Sequence, residues 1–151
     1  MDKLFETAIF TRKTLLKVME EKGYENLVKI PENHRNSIFW NIAHLLVTQH
    51  LLCYGLSGLE LQIDQAMVNK YGKGTVAVEE VPEEDIAFVK AHLVKMVLKT
   101  QSDYKAGVFT GYRNYMTSTN IELCNIEEAL AFSAYHDGIH LGVILSIMKL
   151  V

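Results

Sequence analysis

The chain has 151 residues, 49% of them hydrophobic and 22% charged, with a net charge of −3. This is the composition of a globular domain able to bury its own core, and it excludes a disordered chain. The slightly acidic balance and the lack of a Lys/Arg stripe speak against nucleic acid as a partner, and the two longest apolar runs, 38–56 and 126–151, are interrupted by His, Asn, Gln, Asp or Glu, which speaks against a membrane span.

The first predicted helix covers residues 2–21. Leu4, Phe5, Ala8, Ile9, Leu15, Leu16 and Met19 recur at helical spacing with Lys, Arg and Glu between them, and Gly23 ends the segment. Acidic Asp2 and Glu6 do not suit an export signal. The second helix runs from about Ser37 to Leu56, with Asn36 or Ser37 as its cap and Gly55 and Gly58 near its end. The third begins at Pro82, a residue that suits the first helical position. Glu83, Glu84 and Asp85 follow at the positive end of the dipole, and the helix continues to about Asp103. The fourth opens on Asn125-Ile126-Glu127-Glu128, a capping box with Asn in place of Ser or Thr, and runs apolar almost to Val151.

Two long connections separate these helices. Residues 57–81 hold the turn signal Tyr71-Gly72-Lys73-Gly74-Thr75, and residues 104–124 read as extended chain or a short hairpin. The expected fold class is all-α, a four-helix bundle with long crossover connections, forming a single domain over 1–151.

The chemistry concentrates in the fourth helix, where Ala134-Tyr135-His136-Asp137-Gly138-Ile139-His140 places two histidines four residues apart. About 400° of helical rotation puts both imidazoles on one face, roughly 6 Å apart along the axis. His44 shares an apolar face of the second helix with Trp40, Val47 and Leu51. Three neutral imidazoles from two helices would hold a divalent metal and leave coordination positions open for chemistry. The competing reading is a set of core histidines, each satisfied by hydrogen bonds; for two of them on one apolar face it requires two partners at once.

The other candidates read differently. His50 lies about 120° around the helix from His44 and is expected at the rim or surface. His92 is expected to be a satisfied core or boundary residue and His34 a solvated one. Cys53 reads as a small core residue and Cys124 as unpartnered. Asp137 is expected to be a surface carboxylate, Ser133 to line the histidine pocket, and Trp40 and Tyr135 to be core or interface residues. Arg113, with Tyr112, could reach an anionic substrate group, although an exposed loop arginine is the favoured reading. Two widely separated, unpatterned cysteines fit a reducing cytoplasm.

Asn41-Ile42-Ala43-His44-Leu45-Leu46 together with His136-Asp137-Gly138-Ile139-His140-Leu141-Gly142 resembles the DinB-like superfamily, and Lys70-Tyr71-Gly72-Lys73-Gly74-Thr75 is similar to stretches in its members. The resemblance implies a four-helix bundle, often homodimeric, in which His44, His136 and His140 bind a divalent metal such as nickel or zinc. It further implies a thiol-dependent transferase using a low-molecular-weight thiol. A metal-dependent hydrolase, or a non-catalytic metal-binding and stress-associated bundle, is the alternative. Thiol transfer is favoured on the resemblance alone; no usable general base is visible in the sequence, which counts against an efficient hydrolase.

Overall fold

The computed structural model describes residues 1–151 and is almost entirely helical. Four long helices make the bundle: α1 (Asp2–Glu21), α3 (Ile38–His50), α5 (Glu83–Lys105) and α6 (Ile126–Ile147). Two short ones, α2 (Tyr24–Val28) and α4 (Gln65–Tyr71), lie in the connections. A two-residue ribbon pairs β1 (Tyr115–Met116) antiparallel to β2 (Glu122–Leu123), with Tyr115 opposite Leu123.

The helices start where local chemistry satisfies their first N–H groups. The Ser37 hydroxyl accepts from the Trp40 N–H at 3.1 Å, and Asn125 Oδ1 accepts from the Glu128 N–H at 2.9 Å. Glu128 reaches back one residue further than a standard capping box, to the Cys124 N–H at 2.7 Å. Pro82 is the cap residue before α5 and not its first turn, with ψ 137°. α3 continues into a π-type turn over Leu51–Gly55, where the chain takes an extra residue per turn. The predicted fourth helix is shorter than expected, because 148–150 form turns.

α1 packs against α5 and α6, and α3 packs against the same two, so α1 and α3 face each other across the bundle diagonal. The main core gathers Leu15, Met19, Phe39, Ile42, Leu46, Leu93 and Ile144. A smaller cluster around Phe5, Leu52, Val97, Leu123 and Leu130 closes the end where the ribbon sits. Burying such side chains contributes about 1.5–3 kcal/mol each before entropy is charged against it. α6 is long and apolar enough to cross a membrane, with a mean hydropathy of 1.2 over its best window; here it packs on α1 and α3 instead. The connection between α3 and α5, expected as loop, folds α4 against α3, and this short helix turns out to support the site.

Candidate metal centre

His44 projects from α3, and His136 and His140 project from successive turns of α6, the neighbour of α3. Their potential ligand nitrogens all lie within 4.8 Å of one another, and the three side chains form a group able to hold a metal ion. The ring centroids are 5.2 Å apart for His44 and His136, 5.0 Å for His44 and His140, and 4.5 Å for His136 and His140. A tetrahedral zinc with Zn–N of about 2.0–2.1 Å asks for nitrogens about 3.4 Å apart, a spacing of the same order.

Two of the rings are already oriented by hydrogen bonds. Nδ1 of His44 donates to the Tyr71 carbonyl at 2.7 Å, which leaves Nε2 with the lone pair. In that tautomer the Thr48 hydroxyl donates to Nε2 at 3.2 Å. Nδ1 of His140 donates to Asn41 Oδ1 at 2.7 Å, again freeing Nε2. The amide of Asn41 cannot turn over without loss, because its Nδ2 donates to the Ser37 carbonyl at 2.7 Å. These partners are of the kind that hold metal-ligating imidazoles in one tautomer. Trp40 stacks on His44 with centroids 4.7 Å apart, and Phe132 stacks on His136 at 6.0 Å.

The support for His44 extends further. Tyr71, at the end of α4, donates its hydroxyl to Asp85 at 2.6 Å, and Lys70 binds the same carboxylate at 2.9 Å. Gly72 follows; a Cβ there would lie 2.5 Å from the Val68 carbonyl oxygen, so only glycine lets the chain leave α4 at this angle. Thr75 then accepts from the Trp40 indole N–H at 3.0 Å.

All three histidines are held in the neutral form. Burial, followed by the positive charge its neighbours would carry, pushes His136 down to about 4 and His140 down to about 3; burial also lowers His44, against the hydrogen bond to Tyr71. Neutral imidazole is the form that ligates a metal.

The three rings form the floor of a cleft of about 520 Å³, walled by Trp40, Phe132, Leu51, Leu52 and Leu56. Lys73 and Arg113 are its charged side chains, and no Asp or Glu lines it. Both histidines of α6 are half-buried, so they face this open cleft and not a sealed bundle interior.

Several expectations need correction. His50 is not a rim residue: it is buried, stacked on Tyr54 at 5.2 Å, with neither ring nitrogen hydrogen-bonded. Its 120° offset from His44 turns it into the packing behind the cleft, where burial lowers it to about 4. Asp137 is not a surface carboxylate but lies buried against Arg12 of α1. Ser133 lines a separate small cavity with Arg12, Gln49 and Asp137 and does not reach the histidine cleft. Arg113, favoured as a plain loop residue, is exposed yet lines the histidine cleft, whereas Tyr112 packs against the smaller core. Cys53 is a buried core residue as expected, and His92 is satisfied by the Phe88 carbonyl at 2.8 Å. His34 is half-buried, so it is less solvated than expected.

The fold and site define a helical bundle with three convergent imidazoles, able to hold a metal ion, beside an open cleft. The family model of the DinB superfamily matches residues 8–144, and the chain belongs to that superfamily. No curated protein matches the chain.

Proposed function

We propose that the protein is a metal-dependent enzyme that joins a low-molecular-weight thiol to an electrophilic small molecule, with His44, His136 and His140 holding a divalent ion, nickel or zinc. The convergence of three neutral imidazoles at the floor of a cleft is the observation that carries this reading. Such an ion lowers the pKa of a thiol or water that reaches it. The protein's own residues supply the rest. Asn41 and Tyr71 fix the ligand tautomers, while Trp40 and Phe132 wall the reacting end and keep it apolar.

Hydrolysis is the weaker reading because no carboxylate lines the cleft to take a proton from an attacking water. A thiol needs less help, being acidic enough for the ion alone to ionise it. In the transfer, the sulfur forms a bond to carbon, its proton passes to solvent, and the leaving group departs with the bonding pair. A homodimer in a reducing cytoplasm completes the proposal. It is supported by the apolar stripe on the outer face of α6 and by two cysteines that form no disulfide.

The test has two arms. Purified protein is assayed for bound nickel and zinc, with His136→Ala as control; equal metal content in both would defeat the metal reading. The loaded protein is then offered a panel of cellular thiols with an electrophile. Metal binding without any His44-dependent turnover would leave the non-catalytic bundle as the function.

A further inference from the structure

The charged lining of the histidine cleft has one sign. The chain carries more acidic than basic residues, 18 against 15, yet the cleft holds Lys73 and Arg113 and no carboxylate. Neither cation takes part in any of the chain's ion pairs. They come from different crossovers. Lys73 follows α4 in the turn that also holds Gly74, at φ +88°, and Arg113 precedes β1. The Arg113 segment is anchored where it meets the bundle, its backbone N–H donating to the Leu56 carbonyl at 2.7 Å. The same cleft is lined by the apolar Leu51, Leu52, Leu56 and Phe132, together with the neutral polar Thr48, Thr117 and Ser118.

We propose that the cleft selects organic anions. The ligand carries a carboxylate, held by Arg113 and Lys73, and an apolar body that lies over Leu51, Leu52 and Leu56 with its reactive end toward the histidines. Arg113 supplies the directional contact, because its planar guanidinium matches a carboxylate with two parallel bonds, and Lys73 supplies a point charge. In a cleft with apolar walls, an unneutralised pair of cations draws an anion more strongly than the same pair on an open surface. The inference rests on reading the cleft as a substrate site, and it names the substrate class without depending on the reaction.

The chain has a single tryptophan, and Trp40 lies in this cleft, so its fluorescence reports occupancy directly. Hexanoate and octanoate are titrated against hexanamide and octanamide, which have the same bodies without the charge. The deciding titration uses chelator-treated protein, where no bound ion can draw the carboxylate, and is repeated with Zn²⁺ present. The expected result is that each acid binds about tenfold tighter than its amide. The ratio should fall to near one in the double variant Arg113→Gln, Lys73→Gln, with amide affinity unchanged. Both side chains are exposed, so these substitutions leave the core intact. Equal affinity of acid and amide in the parent protein, no Trp40 response to either, or an undiminished ratio in the double variant would each overturn the proposal. Failure of the protein to take up metal or turn over thiols leaves this ratio measurable, so the two readings fail separately.

Discussion

Arg12 on α1 grips Asp137 on α6 with two parallel hydrogen bonds, Nε to Oδ2 at 2.9 Å and Nη2 to Oδ1 at 2.8 Å, both groups being almost wholly buried. The same Nη2 donates to the Leu45 carbonyl on α3 at 3.1 Å. Asp137 follows His136 and Leu45 follows His44, so one guanidinium ties together the helices that carry the three clustered histidines. Burial pushes the Asp137 carboxyl above the usual carboxylate range, against the pull of Arg12.

Removing one partner leaves the other buried and unpaired. Arg12→Leu is expected to cost about 3–5 kcal/mol of stability. The double variant Arg12→Leu, Asp137→Leu should recover much of that loss, since no isolated charge remains. Urea unfolding of the two singles and the double gives the coupling; additive losses would show that the pair does not act as a unit.

Asn41 holds Nδ1 of His140, so the proposed metal site makes it a positioning residue. Asn41→Leu is expected to weaken zinc or nickel binding by about 10- to 100-fold by releasing the His140 tautomer. Asn41→Asp, which still accepts from Nδ1–H, should retain most of the affinity. Competition with a chromophoric chelator measures both, and an unchanged Asn41→Leu affinity would remove this role.

The pH dependence follows from the buried neutral histidines. Burial lowers His44, His50, His136 and His140, so the unfolded chain takes up protons near pH 6.5 while the folded one resists them, His50 and His136 until about 4 and His140 until about 3. The stability of the metal-free protein is therefore full above 6.5 and falls as the pH drops from there toward 4. Each histidine contributes a slope of at most about 1.4 kcal/mol per pH unit. Denaturation midpoints at pH 7 and pH 5 test this, and a flat profile would contradict neutral burial.

The outer face of α6 presents Tyr135, Ile139 and Val143 in a single stripe, all exposed, with Gly138 and Gly142 open beside it. If a second copy covers this stripe, light scattering at micromolar concentration gives a dimer mass and Ile139→Glu gives a monomer. A parent protein that already runs as a monomer would dismiss the homodimer.

The four main helices could be read from local rules: apolar spacing, the Ser37 and Asn125 caps, and the glycines and turn residues between them. α2 and α4 could not, because five and seven residues are too few to show a period. The histidine pair of α6 is visible as a pattern, since spacing four puts two rings on one face whatever the rest of the chain does. Arg12 was legible in principle: it lies seven residues after Phe5, three before Leu15 and seven before Met19, on the buried face of α1. Asp137 lies likewise seven after Leu130 and seven before Ile144. Two opposite charges on two buried faces call for each other, but only when both faces are known to be buried.

The sequence by itself determined which residues can form helices and which of them share a face, because those properties depend on neighbours within a turn or two. Only the tertiary structure decided that His44 meets the α6 pair, that Asn41 and the Tyr71 carbonyl set the ring tautomers, and that Lys73 and Arg113 open onto the same cleft. Those relationships join residues 27 to 99 positions apart. They exist only once helix packing has chosen which faces touch, and that choice is made by the whole core at once.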